Sequence, residues 1–305
     1  MTKQPSIEPE LSFIGVTAIC GEEGTGKTSM AMTFPKPIFH IELDIGGFQR
    51  VAWRLKDLRV YHCALGESIS KLDWSKYDIV SKPYPKALSI AKLTGQQVTK
   101  NGSSITVRVP KAVEGMRELW QTVVMDFVHA CQSPVATIIL DSNTMGWIIC
   151  HSSIIQEIQE RQLASGIGPD SPQFRERLQP VEYGPANDRM RTVLQTARVY
   201  GKNIVLVHYS TDEYGKVPDG KGNLVDGKTG RLVMDGFKET VKLADLVVWT
   251  SIKETSVRGG GKLRQVVCKI TKCGINGMGL DALGQEISAS FDGIVSLRNL
   301  LKENE

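Results

Sequence analysis

Residues 20 to 30 read CGEEGTGKTSM, and within them Gly21-Glu22-Glu23-Gly24-Thr25-Gly26-Lys27-Thr28 fits the pattern G-x-x-x-x-G-K-[ST] without mismatch. A loop of this kind works only between a buried strand and a helix. Its backbone N–H groups must converge on phosphate oxygens while the helix that follows adds its positive end. Both flanks are present: FIGVTAIC, ending at Cys20, is β-branched and apolar, and KTSMAMTF resumes a helical period. Lys27 supplies a cation and the Thr28 hydroxyl a magnesium ligand, so Gly21, Glu22, Glu23, Gly24, Thr25, Gly26, Lys27, Thr28 and Ser29 form the candidate phosphate-binding set.

The rest of the chain alternates in the same manner. KPIFHIELD reads as a second strand closed by Asp44-Ile45-Gly46-Gly47, and RVYHCAL as a third. Val113, Met116, Trp120, Val123, Val124, Phe127 and Cys131 recur at helical spacing. VATIILDS is a continuously apolar strand of the kind buried on both faces, followed by a helix from about Thr144. A polar stretch, ASGIGPDSPQ, is expected to be mobile. A helix over 186–200 then leads to the strand KNIVLVH, two further strands, ADLVVWTSI and LRQVVCKIT, and an amphipathic end, FDGIVSLRNLLK. Strands alternating with helices imply a mostly parallel α/β sheet covered by helices on both faces. At 305 residues the expectation is one domain over 12–305 behind a flexible tail, 1–11.

No apolar run approaches the roughly 18 residues that span a bilayer, no secretory signal opens the chain, and the six cysteines lack a C-x-x-C pair. No membrane partner and a cytoplasmic location are therefore expected. Two stretches break the alternation. Between Lys82 and Lys111 there are six basic residues (Lys82, Lys86, Lys92, Lys100, Arg108, Lys111) and no acid, with Asn101-Gly102 turning a hairpin between QQVTK and SSITVRV. This insertion, about 80–111, with Tyr84 available for stacking, offers a surface that could track a nucleic-acid backbone. KETSVRGGGKLR, with Arg258, Lys262 and Arg264, is the competing surface; either stretch could equally be a solvated face. The segment 209–238 has Asp-Gly steps at Asp219, Asp226 and Asp235, which suggest stacked turns in a long loop.

A phosphate loop needs a second magnesium partner, and Asp141, closing TIIL, is the candidate; Asp141 or Ser142 could alternatively cap the next helix. Ser142 stands where many motor ATPases carry a water-activating glutamate.

GEEGTGKTS, TIILDS and the acidic strand end HIELD together resemble the RecA-like ATPase core. TFPKP after the loop and IVLVHYS later resemble, more closely, phage and prophage RecA-like ATPases of single-strand annealing and recombination; the likeness spans about residues 12–280. The resemblance implies a RecA-like P-loop core with a basic β-hairpin insertion, ATP and Mg2+ as cofactors, single-stranded DNA as partner and self-association into a ring or filament. If phage-encoded, the chain would act in the cytoplasm of a bacterial host. Carried over by position, the water-polarising acid is Asp44, with Glu42 second; His208 senses the γ-phosphate; Lys272, with Lys269 second, is the basic finger offered to a neighbouring subunit. Lys27 joins them as a catalytic cation. Two other uses of the same loop stay open, a small-molecule kinase and a nucleotide-gated DNA-binding module with negligible hydrolysis.

Overall fold

The computed structural model describes residues 15–85, 96–100, 104–108, 111–218, 220, 222–257, 261–275 and 277–303. The expected tail, 1–11, and the Asn101-Gly102 turn lie outside them. In chain order, β1 (Val16–Gly21) leads into α1 (Lys27–Ala31), and β2 (Ile38–Glu42) into α2 (Gly47–Val51) and a 3-10 turn, Ala52–Leu55. Next come β3 (Val60–His62), β4 (Ile79–Pro83), β5 (Gln96–Lys100), β6 (Ser104–Arg108), α3 (Met116–Gln132), β7 (Thr137–Asp141), α4 (Asn143–Ala164) and α5 (Tyr183–Val199). The chain continues through β8 (Asn203–Pro218), β9 (Leu224–Met234), α6 (Thr240–Leu243), β10 (Leu246–Val257), β11 (Gly261–Cys273), β12 (Glu286–Ile287) and α7 (Phe291–Lys302).

The main sheet runs β12-β11-β10-β1-β8-β7-β2-β4-β3. From β10 to β3 all neighbours are parallel, and β11 and β12 add an antiparallel edge. Alternation along each strand divides the interior in two. Val16, Ala18, Phe39, Ile41, Ile138, Leu140, Ile204 and Leu206 pack with Trp120, Phe127, Ile149 and Met190 of α3, α4 and α5. Ile19, Ile38, Ile139, Val205, Val207 and Val248 pack on the other face with Met30 of α1, Phe48 of α2 and Ile294 of α7. This is the doubly covered, mostly parallel α/β class that the sequence implied. The inserted hairpin is also present, with β5 and β6 paired antiparallel as a sheet of their own.

Three expectations are revised. α1 stops at Ala31 instead of running through Phe34: the N–H groups of Thr33 and Phe34 turn to the carbonyls three residues back, Met30 at 3.0 Å and Ala31 at 3.3 Å, and Pro35 has no N–H to resume the helix. The 209–238 segment is a two-stranded ribbon, with Asp226 and Gly227 inside β9 opposite Lys216 and Gly215. Hydrogen bonding across the ribbon satisfies backbone groups that a stack of turns would leave to water. The stretch after α4 is pinned: Gln162 donates to the Gln173 carbonyl at 2.8 Å and accepts from Arg175 N–H at 3.0 Å, and Phe174 is buried.

Parallel strands present their C-terminal ends along one edge, where ligands of open α/β sheets bind. Gly21 is level there with Tyr209 on β8 and Thr250 on β10, and Asp141 is level with Glu42 and Val207. The two strands flanking β1 continue past this edge into the β8–β9 and β10–β11 ribbons.

Candidate nucleotide site

The loop from Gly21 to Gly26 is built from conformations only glycine tolerates well. Gly24 and Gly26 have φ of 74° and 79°, and a Cβ on Gly21 would stand 2.3 Å from the Thr250 carbonyl oxygen. Thr25 turns inward, its Oγ1 2.7 Å from the Glu22 carbonyl and 2.6 Å from Thr250 Oγ1, which ties the loop to β10. Lys27 folds back over the loop, donating to the carbonyls of Gly21 at 2.8 Å and Glu22 at 2.6 Å. Burial pushes its amine below the usual lysine range, opposed by nearby acids including Asp141, Glu23 and Glu22.

Thr28 Oγ1 donates to Asp141 Oδ2 at 2.6 Å. Asp141 is free for this because Ser142, not Asp141, caps α4, accepting from Met145 N–H at 3.3 Å. Behind it, His40 is fully buried, with Nδ1 2.8 Å from Ser81 Oγ and Nε2 3.4 Å from Asp141 Oδ2. A hydroxyl and a carboxylate side by side at a phosphate loop suit Mg2+, which takes one or two protein oxygens and completes its shell with phosphate and water. Among the described residues no cluster of three or more His, Cys, Asp or Glu could hold a metal alone. The donor set therefore fits a cation that arrives with a phosphate ligand.

The cleft above the loop is lined by Thr28, Asp44, Asp141, Tyr209 and Val266 among others. Of the two acids offered for water activation, Asp44 faces this cleft and accepts a hydrogen bond from the Tyr209 hydroxyl. Glu42 does not face it. Its Oε1 accepts from the N–H groups of Gly46 at 2.9 Å and Phe48 at 3.0 Å, and its Oε2 lies 3.5 Å from His62 Nε2, so it serves the turn that starts α2.

His208 is also turned away. It is fully buried on the α3–α5 face, with Nδ1 2.7 Å from the Asp235 carbonyl and Nε2 3.2 Å from Asn143 Nδ2. A carbonyl can only accept, so Nδ1 carries the proton and Nε2 accepts from Asn143. Burial pushes its pKa down to about 4. Its neighbours Val207 and Tyr209 line the cleft instead, because successive strand residues face opposite sides.

Lys272 lies opposite Val247, near the start of β10 and three residues before Thr250, and its ammonium caps α6 by donating to the carbonyls of Val241, Lys242 and Ala244 at 2.9, 2.9 and 2.6 Å. That geometry commits it to the fold and not to a neighbour's site. Lys269 is exposed on β11, beside β12.

The basic surface is smaller than the sequence suggested. Lys82 and Tyr84 are buried, both bonded to Asp126 Oδ2, at 2.6 and 2.7 Å, and neither can meet a nucleic acid. Lys111 pairs with Glu176 at 2.8 Å. The side chains of Lys86, Lys92, Lys100, Arg108 and Arg258 lie outside the described residues. Lys262 and Arg264 both bond Glu254, at 3.0 and 2.7 Å. On the β8–β9 ribbon, Lys216 pairs with Asp226 at 3.0 Å and Lys228 with Asp212 at 2.5 Å, so much of its charge is cancelled in place.

Sequence reasoning missed Tyr209, Arg50, Trp53 and Arg54, all on the walls of the cleft. Trp53 is 68% exposed with the Arg54 guanidinium 4.9 Å from its ring centre. Strand alternation after Val207 would have found Tyr209, and the i, i+4 spacing of Arg50 and Arg54 puts them on one helical face.

A family model described as an AAA domain matches residues 16–272, a span that includes both the loop and Asp141. The chain belongs to the AAA domain family. The matched span carries the phosphate loop, Gly21 to Thr28, at its start. No curated protein matches this AAA domain chain. Among solved structures it is similar to the flagellar accessory protein FlaH from Methanocaldococcus jannaschii, at 12% identity over 91% of this chain and 86% of that one, with a TM-score of 0.39. Among its described residues, no helix is long and apolar enough to cross a membrane.

Proposed function

We propose that this chain is a magnesium-dependent ATPase that couples ATP binding to engagement of single-stranded DNA, in phage-type recombination or annealing, and that it self-associates as a ring or filament. The observation that carries the ATPase reading is the 2.6 Å contact of Thr28 with Asp141 beside the Lys27 loop. The loop amides and Lys27 bind the phosphates, Lys27 leaving the Gly21 and Glu22 carbonyls to do so. Thr28 and Asp141 hold magnesium, which neutralises charge on the phosphates. Asp44 orients the attacking water; Glu42, locked into its turn, does not. Positioning and charge neutralisation supply most of the rate.

The DNA part rests on the acid-free insertion. With Lys82 and Tyr84 inside the core, it falls to Lys86, Lys92, Lys100 and Arg108 on and before the separate β5–β6 hairpin. Phosphate release measured with and without single-stranded oligonucleotide, over a range of salt, tests both parts. Stimulation that fades as salt rises supports them, since backbone contacts release counterions. Turnover requiring a small-molecule acceptor would replace this reading with a kinase.

The nucleotide-gated alternative is favoured by one observation. Ser142, in place of a glutamate, is engaged as a helix cap, so no carboxylate follows Asp141. Its mark would be ATP-dependent assembly on DNA with negligible phosphate release, unaltered by Asp44→Asn.

A further inference from the structure

Asp44 is one methylene shorter than a glutamate and follows β2 in a turn, so on its own it is weakly located. What locates it comes from a strand 165 positions away: the Tyr209 hydroxyl donates to Asp44 Oδ2. Tyr209 is itself fixed at three points. Its N–H donates to Thr144 Oγ1 at 3.2 Å, and its carbonyl accepts from Asp235 N–H at 2.9 Å and from the Cys20 thiol at 3.4 Å. The Lys27 ammonium lies 5.5 Å from the centre of its ring. Tyr209 and Asp44 line the same cleft as Thr28 and Asp141. With Oδ2 taken by the phenol, Oδ1 is the oxygen left to receive a proton.

We propose that Tyr209 is a positioning residue for hydrolysis, its hydroxyl holding the Asp44 carboxylate so that Oδ1 can accept a hydrogen bond from the attacking water. The pair does jointly what a longer acid would do alone. In the step it serves, the water oxygen bonds to the terminal phosphorus and the bond to the bridging oxygen breaks, its electron pair leaving on the diphosphate. The water proton passes to Asp44 Oδ1 and then to solvent. Burial, followed by the bond to Asp44, pushes the Tyr209 phenol above its usual range, so it stays a donor at neutral pH.

This inference rests on the ATPase reading, and the test separates the two. Phosphate release and binding of a fluorescent ATP analogue are measured on the full chain with magnesium, for the unaltered protein, Tyr209→Phe, Asp44→Asn and the double variant. Tyr209→Phe keeps the ring over which Lys27 sits and removes only the hydroxyl. The expected result is a kcat lower by about 10- to 100-fold, the range typical of lost supporting hydrogen bonds. Nucleotide affinity should hold within about twofold, and the double variant should be no slower than Asp44→Asn alone, because the two side chains act as a unit. Turnover by Tyr209→Phe within about twofold of the unaltered protein overturns the inference and leaves the ATPase standing, as do losses that multiply in the double variant. If Tyr209→Phe instead fails to bind the analogue, Tyr209 contacts the nucleotide directly and the positioning role is overturned. Absence of turnover in the unaltered protein, with or without single strands, overturns the ATPase reading itself.

Discussion

Thr28 Oγ1 and Asp141 Oδ2 are 2.6 Å apart although 113 positions separate them in the chain. β8 lies between their strands in the sheet, so the contact is made above the C-terminal edge, by a helix start reaching across to a strand end. Both side chains line the cleft above the phosphate loop.

Removing either oxygen should weaken binding only where magnesium matters. Thr28→Ala and Asp141→Asn are each expected to lower ATP affinity in magnesium by about tenfold, equivalent to about 1.4 kcal/mol, and to leave the weaker affinity in EDTA nearly unchanged. Titration with a fluorescent ATP analogue in both buffers gives the comparison. Equal losses in both would show that the pair serves the loop and not a cation.

The loop's first glycine should tolerate no side chain. A Cβ at Gly21 would lie 2.3 Å from both the carbonyl oxygen and Oγ1 of Thr250. Gly21→Ala must push β10 away from β1, at a cost of about 1–3 kcal/mol, typical of an overpacked interior. Chemical denaturation should record it as a lower midpoint, together with lost nucleotide binding; a midpoint at the original value would contradict the close approach.

The Asp126 carboxylate depends on Lys82. Both are buried, at 7% and 4% exposure, and Nζ lies 2.6 Å from Oδ2. Lys82→Ala leaves an uncompensated charge inside and is expected to destabilise the fold by about 3–5 kcal/mol. Lys82→Met combined with Asp126→Leu should recover much of that loss. A surface role for Lys82 predicts the opposite pattern, unchanged stability with weakened DNA binding.

The phosphate loop and Asp141 were legible because each is a local pattern, glycines before a helix in one case and an acid closing an apolar run in the other. Residues brought together by strand facing were not. Glu42 and Asp44 both lie in HIELD, two residues apart, and only the turn after β2 shows that the first is consumed as a cap while the second enters the cleft. His208 drew attention by its chemistry, yet β8 runs on to Pro218, and the alternation that exposes Tyr209 to the cleft buries His208. Lys82 and Tyr84 counted as a basic, stacking surface because their partner, Asp126, lies on α3 and outside any window of charge counting. Lys272 was misplaced for a related reason: its three carbonyl partners come from the end of α6 and the residue after it, at the opposite edge of the sheet.

Burial of neutral His208 should appear as pH-dependent stability. Its folded pKa, about 4, lies below the usual histidine value of 6.5, so the unfolded chain takes up the proton first. The contribution is fully present above pH 6.5 and is lost as pH falls toward 4. Between pH 7 and pH 5 it amounts to about 2 kcal/mol. His151 is also pushed down by burial, so the informative quantity is the difference between the unaltered protein and His208→Gln, followed by urea denaturation. The variant should show the shallower slope; parallel slopes would mean that His208 is protonated in the folded state.

Calorimetric titration of the folded full chain with ATP and magnesium, beside Lys27→Ala, tests the central claim most directly. The account predicts saturable one-site binding by the unaltered protein, with a dissociation constant in the micromolar to millimolar range common for enzyme substrates, and binding weaker by about a hundredfold in the variant. No binding by well-folded protein, or equal binding by both, would contradict it.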